Sequence, residues 1–63
     1  MSNPPIADAI LMLEITSYVE PKMTVYCDSN GAAERIIKAF LPESANIYLS
    51  EWNDGEYVQI DKF

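Results

Sequence analysis

Residues 50–61, SEWNDGEYVQID, place two alternating runs of side chains around Asp54-Gly55. Asp-Gly at the two central positions of a type I′ turn, where both residues need positive φ, is one of the strongest short-range signals for a β-hairpin. A two-residue loop also sets the pairing. Trp52 faces Tyr57, Glu51 faces Val58, Ser50 faces Gln59, Leu49 faces Ile60 and Tyr48 faces Asp61. Two strands are therefore expected, over residues 46–52 and 56–60.

Upstream, DSNGAAERIIKAFLP (residues 28–42) changes the period from two to 3.6. Ala33, Ile36, Ile37 and Phe40 form one apolar stripe, with Glu34, Arg35 and Lys38 off it. Asp28, Ser29 and Asn30 offer N-cap oxygens, and Pro42 stops the helix after Leu41. Glu34 and Lys38 stand at i, i+4, a pairing worth about 0.3 kcal/mol.

From Leu11 to Glu20 the alternation of a half-buried strand returns, with Leu11, Leu13, Ile15, Ser17 and Val19 on one parity. Ile6, Ala9, Ile10 and Leu13 also fit helical spacing after Pro5, so residues 6–12 remain open between strand and helix. Pro21-Lys22-Met23 interrupts the run, and residues 24–28 resume it. A three-residue loop pairs Glu20 with Thr24, Val19 with Val25, Tyr18 with Tyr26 and Thr16 with Asp28. Only odd loop lengths keep Val19 and Val25 on one face, because a one-residue slip reverses every side chain.

These elements make an α+β fold: a four-stranded, mainly antiparallel sheet with one helix packed on one face, in the order β-β-α-β-β. Residues 1–5 form a loose arm and residues 6–63 one small domain. One sheet face collects Leu11, Leu13, Ile15, Val19, Val25, Cys27, Ile47, Leu49, Val58 and Ile60 and becomes the core beneath the helix. The other collects Tyr18, Tyr26, Tyr48, Trp52 and Tyr57, interleaved with Glu14, Glu20, Asp28 and Asp61. Glu51, Asp54 and Glu56 gather at the hairpin tip. Cross-strand aromatic pairs stabilise sheets on their own account, but Tyr and Trp are also the residues enriched at binding hot spots.

Composition narrows the function. Ten Asp and Glu stand against four Lys and Arg, for a net charge of −6 with no His. Phosphate-rich partners need cations and gain affinity by counterion release, so nucleic acid is disfavoured and basic protein surfaces are favoured. A chain of 63 residues buries only about 60% of its unfolded surface, which leaves little room for a deep active site. Cys27 is the only cysteine, so no internal disulfide forms and no zinc site is suggested. A Ser or Cys nucleophile has no His base, and NDGE offers too few oxygen ligands for calcium. The apolar run at residues 9–13 is far short of the roughly 20 residues that cross a bilayer. The expectation is a cytoplasmic non-enzyme with no metal and no cofactor.

A very small acidic α+β domain with one adhesive face resembles phage-encoded inhibitors of host defence, of which anti-CRISPR proteins are the largest class. ILML at residues 10–13 and DSNG at residues 28–31 are also similar to strings in phage inhibitors of uracil-DNA glycosylase, with the preceding carboxylate displaced here to Asp8. The resemblance implies a DNA mimic that blocks target-DNA binding by a host nucleoprotein complex. The surface expected to do so consists of Glu14, Tyr18, Glu20, Tyr26, Asp28, Tyr48, Glu51, Trp52, Asp54, Glu56, Tyr57 and Asp61, docking on a basic nucleic-acid-binding surface. Two alternatives stay open: inhibition of another DNA-binding host enzyme, of the uracil-DNA glycosylase or restriction type, and a small homodimeric adaptor.

Overall fold

A computed structural model describes residues 3–17 and 22–63. In chain order it contains β1 (Leu11–Ser17), β2 (Met23–Cys27), α1 (Asn30–Phe40), a short 3-10 turn (Leu41–Glu43), β3 (Ser44–Asn53) and β4 (Glu56–Lys62). The four strands form one sheet in the order β2-β1-β3-β4, with every neighbouring pair antiparallel. Of residues 6–12, only Leu11 and Met12 are strand, as the start of β1; residues 6–10 are neither strand nor helix, with a bend over residues 5–8.

β1 carries the core. Leu11, Leu13 and Ile15 are buried on one face of it and meet Cys27, Ile47, Ala33 and Ile37, with Met23, Val25, Ile36 and Leu49 packed around them. α1 presents Ala33 and Ile37 to this cluster. Its start is capped by Ser29, whose Oγ accepts from the Ala32 N–H at 3.2 Å. Capping by Ser satisfies one of the helix's orphan donors. The Glu34–Lys38 pair forms at 3.1 Å. Phe40, expected in the core, is exposed at the last turn. The i+4 step from Ile37 instead reaches Leu41, which lines the same groove as Ile37.

Two registers differ from the sequence reading. Along β1–β2, Val25 pairs with Leu13, Tyr26 with Met12 and Met23 with Ile15. Thr16 pairs with Asn46 of β3 rather than with Asp28. Met23 joins the strand and packs against the core instead of serving the loop. The expected partners Tyr18, Val19 and Glu20 lie outside the described residues. Moving Val25 from position 19 to position 13 is an even shift, so Val25 and Cys27 keep their face.

The second difference has a larger effect. Pairing near the tip is as the turn dictates: Asn53 with Glu56, Trp52 with Tyr57, Glu51 with Val58, and Ser50 with Gln59. The register then slips, so that Leu49 faces Asp61 and Tyr48 faces Lys62. Ile60 is the extra residue of a β-bulge, and every side chain beyond it changes face. An unbroken ladder would have set Lys62 opposite Ile47, in the core. The bulge seats Phe63 there instead, with Ile47 and Phe63 exchanging backbone hydrogen bonds of 3.1 and 2.8 Å. Val58 and Ile60, expected in the core, are 39% and 53% exposed.

The two glycines should respond oppositely to replacement by alanine. Gly55 has φ 114°, so Gly55→Ala should destabilise by about 1 to 2 kcal/mol. Gly31 is in α1, and a Cβ there meets nothing within 4 Å. Gly31→Ala should therefore stabilise by about 0.4 to 1 kcal/mol. Urea unfolding followed by circular dichroism measures both.

Candidate partner-binding surface

The aromatic face is built in rows across the sheet. One row reads Tyr26, Met12, Ser50, Gln59, and the next toward the opposite end of β1 reads Thr24, Glu14, Tyr48, Lys62. Tyr26 and Tyr57 start from opposite edge strands and meet at 5.9 Å between ring centroids, while Trp52 stands edge-on to Tyr57 at 4.9 Å. Ser50, on the same face, is only 4% exposed. The rings thus form a second small packed layer, with Trp52, Tyr48 and Tyr57 half-buried and Tyr26 exposed. Tyr57 also anchors the incoming chain: its hydroxyl donates to the Ala9 carbonyl at 2.7 Å, and the Trp52 N–H donates to the Ile10 carbonyl at 2.8 Å. Burial first, and Tyr26 second, push the Tyr57 phenol above its ordinary value.

The charge on this face is compensated. Lys22 pairs with Glu14 at 2.5 Å, and the Lys62 ammonium lies 5.6 Å from the centre of the Tyr48 ring. A cation over a tyrosine face is favourable. The expected union of acid and ring on one face is corrected here. Glu51 pairs with Leu11 and Val58, Glu56 with Asn53, and Asp61 with Leu49. All three therefore stand on the helix side of the sheet, and the bulge is what moved Asp61. Asp54 sits in the turn with φ 39°. Asp28 follows β2, where its charge adds to the effect of burial in pushing the Cys27 thiol up. Tyr18 and Glu20 lie outside the described residues. Nine of the twelve expected residues are thus divided: Glu14, Tyr26, Tyr48, Trp52 and Tyr57 on one face, Glu51, Glu56 and Asp61 on the other, Asp54 at the tip.

The sequence reading missed a surface on that second face. An open groove of about 450 Å³ runs between α1 and β3, lined by Asn30, Ala33, Glu34, Ile37, Lys38, Leu41, Leu49 and Phe63. Leu41 and Phe63 are 44% and 41% exposed. The signal was available: one helix about 10 Å wide covers about two strands spaced nearly 5 Å apart. A four-stranded sheet with one helix among the described residues leaves part of that face open.

Among the described residues, no three His, Cys, Asp or Glu side chains are grouped so as to hold a metal ion. A thiol raised by burial stays protonated at neutral pH, and the thiolate is the reactive form. Among the described residues, no helix is long and apolar enough to cross a membrane.

Tyr57→Phe removes the donor to the Ala9 carbonyl and should destabilise by about 0.5 to 1.5 kcal/mol. Because the folded phenol titrates above the unfolded one, its contribution is complete below about pH 10 and is lost as pH rises through the folded value. The difference in urea midpoint between the native chain and Tyr57→Phe should therefore shrink across that range. A difference that stays constant above pH 10 would show that the hydroxyl is not the source.

Comparison with family models, with curated proteins and with solved structures gives no match for this chain.

Proposed function

We propose that the chain is an inhibitory protein-binding module, not an enzyme, that works as a DNA mimic in the manner of phage anti-CRISPR proteins. It acts in the cytoplasm of a host bacterium, where it occupies the basic nucleic-acid-binding surface of a host complex and excludes target DNA. In this reading it is a β-β-α-β-β unit with its one helix on one side of the sheet. The observation that carries the proposal is the placement of Glu51, Glu56 and Asp61 on a single face of the β3–β4 hairpin. All three are exposed, in a chain of net charge −6. Carboxylates so placed accept charge-assisted hydrogen bonds from Lys and Arg that otherwise hold phosphates, and a strong negative field speeds the encounter. The ring layer behind them holds the hairpin, with Tyr26 and Trp52 able to add contact at the rim.

Fluorescence-anisotropy assays of DNA binding by CRISPR effector complexes and by uracil-DNA glycosylase provide the test. The chain should abolish DNA binding by at least one of them. Combining Glu51→Lys, Glu56→Lys and Asp61→Lys should weaken inhibition by tenfold or more, about 1.4 kcal/mol, while the chain stays folded. Inhibition of none of them, or inhibition unchanged in the triple variant, overturns the proposal.

A further inference from the structure

We infer that the groove between α1 and the β3–β4 hairpin receives an amphipathic helix of the partner protein, with an apolar ridge flanked by Lys and Arg. This rests on the reading above in taking a basic protein as the target, and it specifies the element of that protein that docks.

The argument begins with coverage. α1 packs over β1 and β2, and its stripe is satisfied by Leu11, Leu13, Ile15 and Cys27. On the other half of the same face, Ile37, Leu41, Leu49 and Phe63 line an open trough, and Val58, opposite Glu51, extends the apolar surface toward the tip. Ile37 and Leu49 form the half-covered floor of this trough, and Leu41, Val58 and Phe63 are exposed around them, a grouping that marks a docking surface more often than a lone exposed residue does. The width decides the shape of the occupant. Two strands span about 10 Å, the diameter of one helix, so a helix laid beside α1 completes a two-layer sandwich.

Charge decides its chemistry. Within the groove Glu34 and Lys38 neutralise each other. On the hairpin side, Asp61, paired with the groove residue Leu49, and Glu51, two residues along β3, make an acidic rim, with Glu56 farther out at the tip on the same face; all three are exposed. An apolar floor with an acidic rim selects a helix whose ridge of Leu, Ile or Phe at i, i+3, i+4, i+7 is bordered by cations. A second copy of this chain, itself acidic, would bring like charges together at that rim.

The test uses the intact chain and two synthetic amphipathic helices of about 15 residues with the same Leu stripe, one with Lys and Arg on the polar face and one with Glu. Binding is measured by fluorescence anisotropy and mapped by amide chemical-shift changes, with the oligomeric state measured by sedimentation. The basic helix should bind at least about tenfold more tightly than the acidic one, and shift the resonances of Ile37, Leu41, Leu49 and Phe63. Leu41→Asp and Phe63→Asp, at exposed positions, should each lose that binding with the circular dichroism spectrum unchanged. Equal affinity for both helices, shifts confined to the aromatic face, or a groove-mediated dimer abolished by Leu41→Asp each overturn the inference. If the chain blocks DNA binding in the assays above and still fails to bind the basic helix in the groove, only the helix inference falls. If the helix binds as described and no DNA-binding complex is inhibited, only the inhibitory reading falls.

Discussion

Everything in this molecule hangs on the comb of Leu11, Leu13 and Ile15 along β1, one of two interior strands paired on both sides. These three side chains are the floor on which α1 rests, and they lie level with Glu51, Leu49 and Ile47 of β3 in turn. Burying a Leu or Ile side chain contributes about 1.5 to 3 kcal/mol, a large share of what so small a domain can hold. The opposite side of the same strand, Met12 and Glu14, then has no choice of direction. It must form the floor of the aromatic layer, so core and ring face are two consequences of one alternation.

That alternation explains what could be read from residues and what could not. The β3–β4 turn was legible because Asp54 and Gly55 demand a backbone few other pairs accept, and the register near it followed. The β1–β2 register was misplaced along the strand, since no glycine marks that turn. The faces nevertheless came out correctly, because the displacement was even. The bulge at Ile60 was the costly omission: a single inserted residue has no sequence mark comparable to Asp-Gly, yet it sent Asp61, Lys62 and Phe63 each to the opposite side. Its cause is visible only in three dimensions, in the mismatch between a lysine and the site opposite Ile47.

The candidate surface was legible in composition more than in arrangement. Rings and acids were picked out from composition, but of the acids only Asp61 owed its expected place beside the rings to an unbroken ladder, since Glu51 and Glu56 share the parity of Val58 in either register. With the bulge in place, lysines attend the rings, through Glu14 and Tyr48, and the carboxylates of β3 and β4 face the helix side. The acids of the hairpin are thereby separated from the rings, and Glu14, which shares the ring face, has its charge met by Lys22.

The bulge bears on one more property. β4 is an edge strand, and an edge strand next to uncovered apolar side chains invites a neighbour to add strand on strand. A ladder interrupted at Ile60 offers an incoming chain no continuous run of evenly spaced donors and acceptors, and the twist that a bulge adds turns the edge away from a flat approach. The same irregularity that reassigns three side chains thus guards against open-ended aggregation.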